Sequence, residues 1–224
     1  MGLFINPFYF ARKGLALQIG QLARSLHGRI LDIGCGSKPY QRLFSVSEYI
    51  GLELDTPENR AKKKADFYYD GGPFPFNDGV FDCAITFQTL EHVFTPDEFL
   101  REIDRVLKPG GNFLVTVPFI WDEHEQPADY ARYSSFGIRS LLERNGFAVM
   151  DQRKTMDDIR AIFQVINAYF FKVTVTRSPL LNLLSSVTLM APFNILGSIL
   201  GHLTPRNPDL YLDNIVLARK QDTK

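Results

Sequence analysis

The stretch Arg29-Ile30-Leu31-Asp32-Ile33-Gly34-Cys35-Gly36-Ser37 does most to limit what this chain can fold into. Ile30, Leu31 and Ile33 predict a short buried strand that runs directly into a Gly-x-Gly turn. Such a turn leaves backbone free of side chains at the carboxyl end of a strand, where a ligand can approach closely. Two features separate it from the dinucleotide fingerprint G-x-G-x-x-G. Pro39 stands where the third glycine is required, and Asp32 lies two places ahead of the first. A carboxylate there repels a pyrophosphate and suits a ligand carrying an ammonium or a sulfonium.

Strand and helix signals alternate around this turn. Apolar positions at helical spacing between Pro7 and His27 (Phe10, Leu15, Ile19, Leu22) predict a leading amphipathic helix. Tyr49 to Asp55 predicts a second strand, and its Glu53 falls 21 residues after Asp32. That offset is close to the roughly 20 residues at which nucleotide-binding folds place a carboxylate on ribose hydroxyls. Asp55 is the competing acid, although the following Thr56-Pro57 gives it the look of a turn residue. Ala65 to Tyr69 predicts a third strand, closed by Asp70-Gly71-Gly72, and Val80 to Phe87 a continuous apolar fourth. Thr95-Pro96-Asp97-Glu98 has the form of a capping box opening a helix. Lys108-Pro109-Gly110-Gly111 reads as a turn before a fifth strand, Asn112 to Val117. Ser135 to Asn145 reads as a helix and Phe147 to Asp151 as the sixth strand. The alternation predicts a parallel, doubly wound α/β sheet whose ligand crevice lies at the carboxyl ends of its strands.

Composition narrows the classes. Lys+Arg and Asp+Glu each number 25, so no overall field draws the chain to nucleic acid, and Lys62-Lys63-Lys64 reads as a solvated loop. Cys35 and Cys83 sit in apolar contexts and are expected reduced and buried, as in a cytoplasmic protein. The four histidines are scattered and there is no C-x-x-C, so no metal site is expected. Arg12-Lys13 follows the apolar amino terminus instead of preceding it, the reverse of a signal peptide.

Taken together, ILDIGCG, YIGLELD, YYDGGPFPFNDGVFD, ITFQTLEHV and LKPGGNFLVTVP resemble the class I S-adenosylmethionine-dependent methyltransferases over about residues 25–150. The resemblance implies a Rossmann-like, doubly wound seven-stranded sheet whose last strand, near Leu210 to Lys220, is antiparallel. Residues 1–151 and 210–224 would form the methyltransferase domain, with 152–209 as a hydrophobic helical insertion before the last strand. It implies S-adenosylmethionine as cofactor. Gly34, Cys35 and Gly36 would meet its methionine portion, with Asp32 on the amino group. Glu53 and Leu54 would meet the ribose, Asp70 and Gly71 the adenine, and Phe87 and Gln88 the methyl-donor pocket. A nicotinamide-dependent oxidoreductase is disfavoured by Asp32, by Pro39 and by the lack of a Tyr-x-x-x-Lys pair near the fourth or fifth strand. A non-catalytic nucleotide-binding scaffold stays open.

The segment HEQPADYARYS, 124–134, resembles a narrower group of small bacterial methyltransferases of cell-surface glycan or lipid-linked pathways. That likeness implies a small-molecule or lipid-linked acceptor, methylated at a hydroxyl. An oxygen acceptor gains from a general base. His124 is the preferred base, because an imidazole titrates near neutral pH, with Tyr130 beside it. His92 is the second candidate, competing with a structural role.

The insertion is unusual. From Ser178 to Pro205 there is no Asp, Glu, Lys or Arg. The length permits a membrane span. However, the strands on either side must join one sheet, which keeps both ends in one compartment. Asn182, Pro192, Asn194, Gly197 and Gly201 are expected to break the run into two shorter helices. The sixth strand runs parallel to the first, so the insertion is expected to start on the ligand side of the sheet. Two readings remain for residues 178–205: a patch on the inner membrane surface, or an apolar lid or homodimer interface.

Overall fold

The computed structural model describes residues 2–62 and 64–221. In chain order the elements are α1 (Gly2–Ile5), α2 (Tyr9–Leu22), β1 (Arg29–Ile33), β2 (Glu48–Leu54), α3 (Pro57–Lys62), β3 (Phe67–Tyr69), β4 (Phe81–Phe87) and α4 (Pro96–Val106). They continue with β5 (Leu107–Pro118), α5 (Ser135–Arg144), β6 (Phe147–Lys154), α6 (Arg160–Thr174), α7 (Pro179–Ser185), α8 (Ala191–Leu203) and β7 (Asp213–Lys220). The chain divides into two compact units. One holds the residues up to Leu17, Phe119–His124 and Lys154–Asp213; the other holds Gln18–Pro118, Glu125–Arg153 and Asn214 onward.

The second unit carries the sheet, in the order β3-β2-β1-β4-β5-β7-β6. Strands β1 to β5 pair in parallel, Leu31 opposite Ile50 on one side and Ala84 on the other. Strand β7 runs against its neighbour β6, since Gln221 N–H reaches the Gly146 carbonyl while Leu212 N–H reaches that of Thr155. Leu31, Ile33, Leu52, Phe113, Val115 and Ile138 are fully buried in one core. Unbroken apolar strands are what a sheet covered on both faces requires. The strand order reverses at β1, which puts the crevice of such a sheet at the carboxyl ends of β1 and β4.

Three local expectations need correction. The Thr95 side chain makes no capping bond; α4 starts instead on its proline, with Asp97 and Glu98 in the first turn where acids suit the helix dipole. The turn expected at Lys108–Gly111 is absorbed into β5 as a bulge: Phe81 pairs with Leu107, yet Cys83 pairs with Asn112. The insertion is not broken at Pro192. A helix runs from Pro179 to Leu203, and it widens into a π turn at Ser186–Met190 just ahead of Pro192, a local irregularity that accommodates a residue with no N–H to donate.

The first unit is built on α6 and α8, which pack antiparallel. Asn167 donates to Asn194 at 2.9 Å, and a Cβ on Gly197 would lie 3.0 Å from the Phe163 ring. Asn194, read from sequence as a helix breaker, is a buried bridge whose amide donates to the carbonyls of Leu3 and Asn6 around α1. Gln164 of α6 accepts the N–H groups of Phe10 and Ala11 at the start of α2 and donates to the Pro7 carbonyl. These amides satisfy the open backbone groups of both leading helices, which a purely apolar packing surface would leave orphaned.

Candidate active site

Strand β1 ends in a turn that its neighbours hold in place. Gly34 and Cys35 donate to the Leu52 carbonyl of β2 at 2.9 and 3.2 Å, and Gly36 donates to Glu53 Oε2 at 2.8 Å. Gly34 has φ +71°, and a Cβ there would lie 2.4 Å from Thr89 Oγ1. Gly36, at φ +50°, would meet nothing within 4 Å, so its side-chain direction opens on space for a ligand.

A cavity of about 470 Å³ lies over this turn, lined wholly by residues of the second unit. Eight residues singled out from the sequence line it: Asp32, Gly34, Cys35, Gly36, Glu53, Leu54, Phe87 and Gln88. Asp70 and Gly71 lie outside the lining. The Asp70 carboxylate accepts its own turn's Gly72 N–H at 3.1 Å, and Tyr69 reaches the cavity from the end of β3. Asp55, the rival to Glu53, is exposed and paired with Arg60 at 2.6 Å.

Asp32 is buried at the floor. Burial pushes its carboxyl up to about 7, while a hydrogen bond from Tyr49 and the nearby Lys38 pull the other way. The Tyr49 hydroxyl donates to Asp32 Oδ2 at 2.6 Å. Burial and the neighbouring Asp32 push the Cys35 thiol up to about 12, so it is a protonated lining group and no nucleophile. Both cysteines are free and buried, as expected from sequence.

Gln88 holds φ +52°, a left-handed conformation rare for a side chain of its size. Thr116 of β5 fixes it: Gln88 N–H reaches the Thr116 carbonyl at 3.0 Å, and its Nε2 reaches the Thr116 hydroxyl at 3.1 Å. A residue held in such a conformation by its surroundings marks a place where the backbone is aimed. Phe87 beside it is gathered into an aromatic wall with Tyr40 and Phe44.

His92 also lines the cavity, its Nδ1 at 2.5 Å from the Ala128 carbonyl. A carbonyl only accepts, so Nδ1 carries the proton and Nε2 is the basic nitrogen. Carboxylates of Glu91 and Glu125 each lie 3.9 Å from Nε2, placed to stabilise an imidazolium. His124 belongs to the first unit, where its Nδ1 approaches the Asp122 carbonyl at 3.2 Å. Tyr130 is half exposed, edge-on to Phe94, with its N–H on the Glu91 carbonyl. Arg132 is locked in a two-pronged pair with Asp129 at 2.6 and 2.7 Å, an anchor of its loop.

Several lining residues carried no sequence signal. Tyr49 looks like one more apolar strand residue until the register sets it against β1. Lys62, expected to be a solvated loop lysine, stands on the cavity wall with Asn59; Lys63 lies outside the described residues.

A Rossmann-like sheet with an antiparallel last strand, an acid below its glycine turn and a second acid at the next strand end are the arrangement of the class I S-adenosylmethionine-dependent methyltransferase fold. Residues 31–115 match a family model described as a methyltransferase domain. The chain is 30% identical over 164 residues to a Mycolicibacterium smegmatis protein named "Probable S-adenosylmethionine-dependent methyltransferase", covering 67% of this chain and 63% of that one. The chain thus spans less than two thirds of that relative's length. It is 35% identical over 98 residues to the ubiquinone biosynthesis O-methyltransferase of Caulobacter vibrioides, covering 38% and 39% of the two chains. Among solved structures, the cyclase SpnF is similar at a TM-score of 0.60 and 20% identity, covering 92% of this chain and 82% of that one, a likeness of fold.

The residues present fit S-adenosylmethionine. Gly36 offers an open backbone face, Asp32 a buried carboxylate for an ammonium, and Glu53, which accepts Gly36 N–H on Oε2 and Leu54 N–H on Oε1, a remaining lone pair on each oxygen for two ribose hydroxyls.

Proposed function

We propose that this chain transfers the methyl group of S-adenosylmethionine to an oxygen, the hydroxyl of a glycan or of a lipid-linked small molecule. The observation that carries the reading is the pairing of Asp32 with Glu53 around the open face of Gly36. A pyrophosphate-bearing cofactor has a use for Glu53 on its ribose but is repelled by Asp32, whereas a cationic adenosine derivative has a use for each. The oxygen acceptor is supported by the O-methyltransferase name of the Caulobacter relative.

When bound, S-adenosylmethionine supplies an electrophilic methyl on a sulfonium. Methylation of an oxygen by that group would also require a residue of this chain to take up the acceptor proton. The Gly34–Gly36 turn and Glu53 fix the donor, so that alignment supplies much of the rate. His92, which lines the cavity with its tautomer set by Ala128, takes the acceptor proton on Nε2 in this reading. His124 and Tyr130 are the alternatives offered by the loop, and parallel substitution distinguishes them. The reaction belongs in the cytoplasm, at the inner membrane surface where a lipid-linked acceptor is met. The test is release of S-adenosylhomocysteine on incubation with S-adenosylmethionine and panels of glycan and lipid-linked hydroxyl acceptors. Release with one of them supports the reading; none with any acceptor, while the cofactor binds, leaves a nucleotide-binding scaffold.

A further inference from the structure

The helix Pro179–Leu203 has a mean hydropathy of 1.7 in its most apolar window, yet only 28% of that window is buried. A core helix of a water-soluble domain with this composition hides most of its surface. Here Leu180, Leu184, Val187, Leu196, Ile199 and Leu203 recur every three or four residues along each stretch and stay 44–74% exposed. Helix α6 adds Ile162, Val165 and Tyr169 in the same state. Scattered exposed leucines need no explanation, but two runs of exposed apolar residues on the two halves of a helix about 38 Å long do.

Charge shows what covers it. Between Ser178 and Pro205 the chain carries no charged side chain other than what His202 gains on protonation. In this unit Asp157, Asp158 and Asp122 are each neutralised by Arg206, Arg160 and Lys172. Among the described residues no carboxylate pairs with Arg12, Lys13 or Arg177: Arg12 lies over the Phe8 ring, Lys13 over Tyr9, and Arg177 immediately precedes the cap residue Ser178. Phe8 in turn meets Phe171 in the last turn of α6, so Arg12 and Arg177 both border the end of α6 from which the apolar helix departs. A second copy of the chain laid on this band would offer those cations no carboxylate from its own 178–205 stretch. An anionic headgroup layer instead matches an apolar band edged with cations.

We propose that the α6–α8 face of the first unit docks on the surface of an anionic lipid bilayer, lying in the interface without crossing it. A single crossing is opposed by the chain itself, since β6 leads into α6, β7 follows α8 and both strands belong to one sheet; α6, at 15 residues, is too short to make the return crossing. The inference stands apart from the reading of the cavity, because it uses no residue that lines it.

Flotation of the full chain with vesicles of phosphatidylcholine alone, and with about a third phosphatidylglycerol, tests it. The chain should float with the anionic vesicles, with apparent affinity about tenfold or more above neutral ones and falling at high salt. Leu180→Glu with Leu184→Glu should abolish flotation while circular dichroism stays unchanged. Because both native cysteines are buried, Leu184→Cys can carry an environment-sensitive dye, which should shift to the blue when vesicles are added to the otherwise intact fold. The proposal is overturned if the chain stays in the aqueous fraction with every vesicle, or if the dye shifts with protein concentration and ignores lipid, the mark of a second copy on this face.

Discussion

The hydroxyl of Tyr49 donates a 2.6 Å hydrogen bond to the buried carboxylate of Asp32, joining β2 to the acid beneath the glycine turn. Burial alone drives Asp32 towards its neutral form, and this bond is the main opposing influence. The pair therefore sets whether the floor of the cavity is charged near neutral pH.

The first prediction concerns pH. Asp32 titrates near 7 in the unliganded protein, well above an unfolded aspartate. An ammonium-bearing ligand binds the ionised form, so affinity for S-adenosylhomocysteine should be full above pH 7 and fall towards tenfold per unit below it. Calorimetry at pH 6 in buffers of different ionisation enthalpy should show a proton released on binding. Stability carries the opposite sign. Between the unfolded and folded values the native state binds more protons, so the unliganded protein should lose stability as pH rises from about 4 to about 7. Asp32→Asn should flatten that slope, melt higher than wild type at pH 8, and bind the ligand about ten- to a hundredfold more weakly.

Tyr49→Phe removes the opposing bond. The carboxyl of Asp32 should titrate higher, moving the pH dependence of ligand binding upward, with a stability loss of about 1–2 kcal/mol measured by denaturant unfolding at pH 8. An unmoved pH profile would mean that Asp32 is not the titrating group.

Much of this was legible in the residues. The acid ahead of the first glycine, the acid 21 residues on and the strand–helix alternation carry the sheet and most of the cavity wall. These signals are local: a strand end and its turn are written in neighbouring residues. Tyr49, Thr116 and Ala128 were not legible, because each acts through a partner 17 to 36 positions away, and that pairing exists only once register and loops are set. The amides of the first unit failed for a related reason. Asn194 breaks helices in isolation, but beside Asn167 and the α1 carbonyls it is a satisfied buried bridge, and tertiary partners outweigh propensity.

Glu53 holds the turn through the Gly36 N–H and, in the proposed reading, also takes the ribose. Glu53→Gln keeps an acceptor for Gly36 but loses the charge, and should weaken S-adenosylhomocysteine binding about tenfold. Glu53→Ala also frees the Gly36 N–H and should cost about a further tenfold, with fold retained by circular dichroism.

Gly36→Ala places a methyl on the open face at which the proposed ligand would meet the backbone. Since nothing in the protein meets that Cβ, stability should drop only by about 1 kcal/mol, the cost of φ +50° for alanine, while ligand binding falls far more. Equal small effects on both would show that the open face is not a ligand surface.

His92→Ala and His124→Ala, assayed side by side once an acceptor is found, assign the base. The residue that serves should lower kcat by about a hundredfold or more, remove the acidic limb of the kcat–pH profile and leave the cofactor dissociation constant nearly unchanged. The geometry at Ala128 predicts that outcome for His92.

The account rests on the cavity's selection of a cationic adenosine ligand. Isothermal titration of the full chain at pH 7.5 with S-adenosylhomocysteine, and separately with NAD, tests this most directly. The account predicts saturable binding of S-adenosylhomocysteine that Asp32→Asn and Glu53→Ala weaken, and no binding of NAD. Binding of NAD with none of S-adenosylhomocysteine would contradict it.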